Sequence, residues 1–568
     1  MRAPIHPTRL LATLLTVPEA ALYTALATAF SIALAGAPAA AAAQCDTVVS
    51  RTSAAALTGM RIHSVVVRAL PPATVPGAAG RLAAHLHRTT RAATVLRDFP
   101  LAPGDTVDTL IVAESMRRLR QRVYLADAEV TGAHCTAGGP VDLTVVTWDK
   151  WSLNPTFAAQ SGSSYGGLEE RNVLGSGRAA TVSVASREGR IGGALAYTDP
   201  YLLNLPIFVR ARAAQYGDGD EIRARIRNAE QSVQDAWRFQ LSVARYRRDT
   251  QREQPFAGTS VLVEQAFSRQ GATLTIGRRI GAVTTSANFI LFGLDFERAS
   301  LNAPDNSLTV GPKLVQRRFH GPSVGMARRA AVFDTVGWFT AHQALIDVPV
   351  GVEMEGMLSA GREDVTRHAA AYGSIWIGKM WIPGAEQLAS IDAWASGYRI
   401  GSRENFDAAS NRALASYYAR RGSALYSAHV GVEKLVNPDP DVRALQTFDP
   451  TLPLIPAVYR LSENAAAAEV ERASHVWSPV RSLNVDGALF SAASYRTASA
   501  VSQHDHLGVV AIGAGLRLVP AAQGSGSLRL DLLYPVLRSS QARHGFTFAV
   551  SVTPWLQSNR QREDPRLR

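Results

Sequence analysis

The sequence predicts a mainly β protein: a transmembrane antiparallel β-barrel preceded by a small α+β domain. Three observations predict it. From about residue 161 the chain breaks into many short segments in which apolar and polar residues alternate, the pattern of strands with two unlike faces. Residues 59–150 mix helical and strand periodicity instead. The chain opens on a basic and then apolar leader, and no later apolar run is long enough for a membrane helix, which needs about 20 residues. Within lipid, a closed barrel is then the form that satisfies the backbone polar groups.

Arg2 and Arg9 give the leader its basic start, residues 20–39 are mostly small and apolar, and Ala41-Ala42-Ala43 reads as a cleavage site. Residues 1–43 are expected to be a signal peptide and 44–58 a short N-terminal segment. Glu19 and the shortness of the cleanly apolar part argue against a permanent anchor. Cys45 follows Gln44 rather than the small residue that lipid attachment requires. Cys45 and Cys135 are the two cysteines, and low cysteine content behind an export signal fits a bacterial periplasm. A bridge between them would contribute about 4–5 kcal/mol on the chain-entropy model; two unpaired thiols are the alternative.

In the small domain, 61–68 (RIHSVVVR) is a β-branched strand. Residues 78–90 have helical spacing, with Leu82 and Leu86 on one face. Asp105 is the expected N-cap of a second helix over 107–121, where Val107, Leu110, Ile111, Glu114 and Arg118 recur at helical intervals. Segments 123–130 and 141–147 then read as strands, with Gly138-Gly139-Pro140 turning the chain before the second.

Residues 160–556, at about 10 residues per strand plus loops, fit a barrel of middle size. Trp237, Phe239, Leu241 and Val243 alternate with Arg238, Gln240, Ser242 and Ala244; Leu528, Leu530 and Leu532 alternate with Arg529 and Asp531. One face suits lipid and the other a polar interior. A soluble sandwich or propeller is disfavoured, because the segments are many and follow no fixed repeat. Tyr197, Tyr201, Trp376, Trp381 and Trp555 lie near strand ends, as an aromatic girdle requires. Residues 437–456 are the longest loop candidate late in the barrel, and 557–568 a basic tail.

The net charge of +12 and pI of about 9.9 would suit an anionic partner. The arginines are spread along strands rather than massed in runs, so nucleic acid is not the expected partner. No nucleophile elbow, phosphate-binding loop or zinc-binding helix motif is present, and no cofactor or metal is expected. His504-Asp505-His506 reads as a polar loop. Glu469 and Glu471, two apart on one strand, face the same side. Inside a barrel they are expected to pair with inward arginines, since a buried charge needs a partner.

These segments together resemble one family, the bacterial surface-antigen, BamA/TamA-like outer-membrane assembly barrels. The small domain resembles the family's POTRA module, which has the same strand-helix-helix-strand-strand order; GDTVDTLIVAESMRRLRQRVYLADAEV (104–130) looks like its second helix and following strand. VDLTVVTWDKWSLNP (141–155) resembles the last strand and the link to the barrel. GLEERNVLGSG (167–177), with Glu170, Arg171, Asn172 and Gly175, and YTDPYLL (197–203) look like the first barrel strands. IDVPVGVEMEGMLSAG (346–361) resembles a mid-barrel strand pair. GAGLRLVPAAQGSGSLRLDLLYPV (513–536) and FTFAVSVTPW (546–555), with Phe546, Phe548 and Trp555, look like the closing strands.

The resemblance implies sixteen strands, a weak seam between first and last strands, a periplasmic POTRA domain, and outer-membrane residence in a Gram-negative-type bacterium. It implies a protein that inserts other barrels or translocates a protein client, with outer-membrane lipid and periplasmic accessory proteins as further partners. It is not an enzyme family. The client would add a strand to the POTRA sheet edge, at 123–130 or 61–68. The seam would lie between 179–185 and 546–553. Two departures stand out. The family's lumenal loop carries Val-Arg-Gly-Phe/Tyr, where this chain has Val442-Arg443-Ala444-Leu445. The facing Phe-x-Asp-x-Gly appears as Phe490-Ser491-Ala492-Ala493-Ser494, without the acid. Arg443 would then turn to Asp486, Glu469 or Glu471, or face solvent. The missing acid also suits a different expectation, a passive structural barrel or pore.

Overall fold

The computed structural model describes residues 51–553 except 54–56, 73–83, 86, 135–138, 161–162, 188–189, 229–234, 257–258, 303–315, 338–345, 366, 402–405, 437–450, 456–462, 481–482, 499–504, 521–526 and 541. The leader, Cys45, Cys135, Arg443, Trp555 and the basic tail therefore lie outside the described residues.

The small domain is a four-stranded sheet in the order β1-β3-β4-β2, from β1 (Arg51–Ser53), β2 (Ile62–Leu70), β3 (Leu125–His134) and β4 (Val141–Asp149). β2 runs parallel to β4, and β3 antiparallel to it. Between β2 and β3 lie α1 (Ala92–Leu96) and α2 (Thr109–Arg120). From β2 onward this is the expected strand-helix-helix-strand-strand order. Most of the helix expected over 78–90 falls outside the described residues. The N-cap of α2 is Asp108, not Asp105: Asp108 Oδ1 accepts from Leu110 N at 2.8 Å, whereas Asp105 accepts from Ala102 N behind it. Val112, Met116 and Leu119 of α2 pack with Leu125, Val130, Leu143 and Val145 of the sheet.

The barrel strands are β5 (Leu153–Gln160), β6 (Ser163–Glu170), β7 (Ala179–Arg187), β8 (Arg190–Asp199), β9 (Ile207–Tyr216), β10 (Gly219–Asn228), β11 (Trp237–Phe256), β12 (Thr259–Ile280), β13 (Ser286–Asn302) and β14 (Gln316–Ala330). A detached hairpin, β15 (Phe333–Val336) and β16 (Ile346–Pro349), follows. The wall resumes with β17 (Gly351–Glu363), β18 (Ala369–Gly384), β19 (Gln387–Ile400), β20 (Asp407–Arg421), β21 (Ala424–Val436), β22 (Asn464–Val480), β23 (Leu483–Ala498), β24 (Asp505–Pro520), β25 (Ser527–Arg538) and β26 (Thr547–Thr553). All are joined to sequence neighbours as an antiparallel meander, and β26 returns to β5 to close a ring of 20 strands.

Three expectations are corrected. The ring has 20 strands rather than sixteen: the smaller number came with the resemblance, whereas several early strands are only 8–10 residues long, so more fit into the same chain. The first strand begins at Leu153, ahead of residue 160. Segment 346–361 is not a strand pair of the wall. Residues Ile346–Pro349 belong to the detached hairpin, and only β17 joins the ring. Pro349 offers no backbone N–H, and Gly351 takes φ 143°, so the chain changes direction between the two ladders.

Alternation decides which face is which. Val182, Ile191, Phe292, Ile375, Ile391, Val470, Leu489 and Ile512 are exposed on the outer face. Ser183, Arg269, Glu297, Asp392, Glu469, Arg496 and Arg517 are buried on the inner one. Apolar residues outside and ion pairs inside are the arrangement that a lipid surround requires. Trp237, Tyr417, Tyr426 and Trp477 are exposed near the strand ends on the small-domain side, and Tyr495, Tyr534, Phe546 and Phe548 toward the other end. Trp376 and Tyr201 are not girdle residues: Trp376 faces inward and Tyr201 is buried against the small domain. Among the described residues, no helix is long and apolar enough to cross a membrane.

Candidate functional site: lumen, seam and docking face

Glu469 and Glu471 on β22, Arg517 on β24, and Arg529 and Asp531 on β25 share the inner face because each strand shows every second residue to the lumen. Arg529 meets Glu469 at 2.5 Å, Glu471 at 3.2 Å and Asp531 at 3.0 Å. Arg517 bridges Glu471 and Asp531. Phe490 lies 5.5 Å beneath both guanidinium groups, which adds a cation–π contribution. The expected pairing with inward arginines is thus what the fold shows. Arg517 and Arg529 were legible as inward residues in LRLV and LRLD, but which carboxylate each would meet depends on register. Asp486 lies opposite Arg517 in the ladder and 3.3 Å from His475 Nδ1.

The described part of the loop between β21 and β22 is folded into the barrel. Thr451, Leu454 and Ile455 are buried, and Leu454 and Ile455 pack on Phe490, Leu507, Val509, Ala511 and Leu533. Arg543 N donates to Leu454 O at 3.0 Å.

Among the described residues, β26 meets β5 at the seam through one residue pair, Val550 and Ala159, whereas β25 and β26 share seven, from Ser527↔Thr553 to Leu533↔Thr547. The expected partner segment 179–185 lies instead in β7, which is paired on both sides. The reason is the β5–β6 hairpin that precedes it. Phe546 and Phe548 are exposed on the outer face beside this seam.

The GLEERNVLGSG motif is mainly a turn, not a strand. β6 ends at Glu170, whose Oε1 accepts from Asn172 N at 2.9 Å, and Arg171 pairs with Glu169 at 2.7 Å. Asn172 is buried: its Nδ2 donates to Thr90 Oγ1 at 2.9 Å and its Oδ1 accepts from Gly177 N at 2.8 Å. The Gly175 carbonyl accepts from Arg91 N at 2.9 Å and Thr94 Oγ1 at 3.1 Å. Gly175 has φ +73°, and a Cβ there would stand 2.4 Å from the Thr89 carbonyl oxygen. The YTDPYLL motif makes a second turn of the same kind, with Leu203 at φ 52° matching Leu174 at φ 53°. Here Arg122 Nε donates to Asp98 at 2.7 Å, and the Tyr201 hydroxyl donates to the same carboxylate. Asp98 and Arg122 are buried. Burial, and then the Asp98 charge, push the Tyr201 hydroxyl well above its usual pKa. Nearby Lys150 is held well below the usual lysine range by burial and then by Arg171.

A third dock comes from the β15–β16 hairpin. Arg120 of α2 grips Asp347 with two bonds of 3.1 Å, and Arg117 lies 4.6 Å over the Phe333 ring. The hairpin's Val336 and Val348 pack on Met380, Leu388 and Tyr418, inward residues of β18, β19 and β20. The small domain thus touches the turns after the second, fourth and tenth strands of the ring and reaches across its mouth. In its sheet β2 has one neighbour, whereas β3 is flanked by β4 and, over Thr131–Ala133, by β1. The edge strands are therefore β1 and β2, and Ile62 at the start of β2 exchanges backbone hydrogen bonds with Gly104 and Asp105 on its outer side. None of these docking contacts was legible in the sequence, because each joins residues 79 to 227 positions apart.

No protein-family model matches the chain, and no curated protein does. Among solved structures, the chain is similar to CdiB from Acinetobacter baumannii at 12% identity, over 87% of this chain and 73% of that one, with a TM-score of 0.34. It is similar to CdiB from Escherichia coli at 11% identity, over 87% and 76%, with a TM-score of 0.39. A third match is BamA from Haemophilus ducreyi lacking POTRA domains 1-3, at 10% identity, over 86% and 84%, with a TM-score of 0.32. The fold rests on the strand ladder itself.

Proposed function

We propose that this chain is an outer-membrane barrel of the BamA/TamA-like kind, which assists insertion of outer-membrane proteins or translocates a protein client. In this reading the small domain is a POTRA module in the periplasm. The observation that carries the proposal is the pairing of a weak seam with a docked, open-edged sheet. A client strand can add its backbone N–H and C=O groups to β2, and among the described residues the seam beside Phe546 and Phe548 is where the wall is least paired. No catalytic step is assigned. The test uses the refolded full chain in liposomes, to which an unfolded outer-membrane barrel is added. Protease-protected insertion faster than in empty liposomes is the expected result; equal rates with several clients would overturn the insertion reading.

One observation favours a passive structural barrel instead. The Glu469–Glu471–Arg517–Arg529–Asp531 web lines the inner wall of β22–β25, and the tucked loop packs on that same wall, which suits a fixed interior. That barrel would leave the insertion rate unchanged.

A further inference from the structure

On the outer face of the wall, the end away from the small domain carries a patch of cations. β14 ends at Ala330, just before the hairpin that docks on α2, and β17 starts just after it. The start of β14 and the end of β17 therefore lie at the far end. On β13, β14 and β17 the odd-numbered Glu297, Arg317, Phe319, Ser359 and Glu363 are buried. The even-numbered Phe292, Leu294, Val324, Met326 and Leu358 are exposed apolar residues of the outer face. Arg298, Arg318, His320 and Arg362 share that even parity and are exposed with them.

The register brings these four together. Arg298 lies directly opposite Arg318, and His320 directly opposite Arg362. Such partners have Cα atoms about 4.5–5.5 Å apart, and Arg318 and His320 are successive residues of one face of β14. Among the described residues, Arg298, Arg318 and Arg362 have no ion pair and no side-chain hydrogen bond. The nearby carboxylate of Asp364 lies 3.4 Å from His320 Nδ1. Glu363 is buried, and its Oε1 accepts from Arg318 N and Val365 N. Arg245, in line with Arg298 across β12, has interactions of its own and is not counted.

The patch also sits at a definite height. Ten residues of β14 separate Arg318 from Arg328, which is exposed on the same face. That is about 34 Å along a strand, and about 25 Å in height at a tilt of about 40°. The apolar band of an outer-membrane barrel is about 25 Å tall, and Pro322, Val324 and Met326 fall in the interval. Arg318 thus marks one boundary of the band, with Arg298 and Arg362 beside it. Arg328 marks the other, opposite the uncharged Asn288 and Met354.

Like charges on neighbouring strands repel, so anions from outside the chain are needed to settle the patch. At this height the surroundings are lipid headgroups, with acyl chains against Leu294, Val324 and Leu358 below. Guanidinium forks match phosphate oxygens, and basic clusters at a membrane boundary bind anionic headgroups. A headgroup with one phosphodiester brings one negative charge to three arginines; a headgroup with two or more phosphates comes closer to balance.

We propose that Arg298, Arg318 and Arg362, with His320, form an outer-face binding site for a lipid whose headgroup carries two or more phosphates. The site rests on the reading of this chain as an outer-membrane barrel, and not on the client it serves.

The test is thermal unfolding of the refolded full chain in zwitterionic detergent micelles at constant salt. Cardiolipin, phosphatidylglycerol and pyrophosphate are titrated separately at matched phosphate concentration. A ligand that binds the folded state raises its melting temperature in a saturable way. The expected result is a saturable rise with cardiolipin that exceeds the rise with the other two. It should fall to less than half in R298Q/R318Q/R362Q and persist in R328Q, which removes a charge from the same face of the same strand. If the triple variant does not refold, R318Q reads the same loss in smaller measure. No rise with cardiolipin, or an equal rise in the triple variant, would overturn the site. An equal rise with phosphatidylglycerol would overturn the choice of a headgroup with several phosphates, and an equal rise with pyrophosphate the choice of a lipid. The readout is separate from the insertion assay: a barrel that inserts no client still shows the cardiolipin shift if the site exists, and a working insertion barrel without the site does not.

Discussion

Single residues carry the contact between the small domain and the barrel. Gly175→Ala puts a Cβ against the Thr89 carbonyl at a positive φ, where a non-glycine residue costs on the order of 1–3 kcal/mol. It is expected to loosen the first dock, read as faster proteolysis of the small domain while the barrel stays folded. Arg122→Ala leaves Asp98 buried without its main partner, a change that typically costs about 3–5 kcal/mol. Its check is the melting temperature, with R122M/D98L recovering part of the loss. Tyr201 adds a pH dependence. Its folded pKa lies above its unfolded value of about 10. Its contribution is therefore fully present below pH ~10 and is lost as pH rises further. Protease protection of the small domain should fall in that alkaline window, and Tyr201→Phe should remove this part of the dependence. These contacts were hidden in the sequence. Asn172 and Gly175 were conspicuous there, but as strand residues, because alternation continues through Glu170 and nothing local shows which surface a turn will meet.

At the scale of elements, strand alternation was legible and strand count was not. Period two shows the face of each residue. How many crossings the chain makes depends on turns as short as those between β7 and β8, or between β20 and β21. The same limit explains the β15–β16 hairpin. Its residues have the texture of barrel strands, yet they pair with each other and fold against Met380, Leu388 and Tyr418. Asp347 ties this hairpin to the small domain at the mouth of the barrel. Arg120→Ala removes two charge-assisted bonds, a loss of about 1–3 kcal/mol. The hairpin should then leave the inner wall more often. The measurement is thiol labelling at Val348→Cys in a chain with Cys45 and Cys135 replaced by serine. Labelling is expected to be faster with Arg120→Ala than with Arg120 present. Equal rates would mean that the small domain does not hold the hairpin in place.

The whole molecule joins two features that its parts do not explain alone. A ring of 20 strands has no free edge, which is what lipid demands, yet among the described residues one joint of that ring rests on a single residue pair. The four-stranded sheet outside the ring, with β1 and β2 at its edges, belongs to a domain clamped across the mouth at three turns. If the barrel works on other proteins, the seam has to open. The most direct measurement is insertion of an unfolded outer-membrane barrel into liposomes by A159C/V550C, in a chain with Cys45 and Cys135 replaced by serine, oxidised and then reduced. The account predicts that oxidation reduces insertion to the rate of empty liposomes and that reductant restores it. Insertion at the full rate by the oxidised, cross-linked barrel would contradict it.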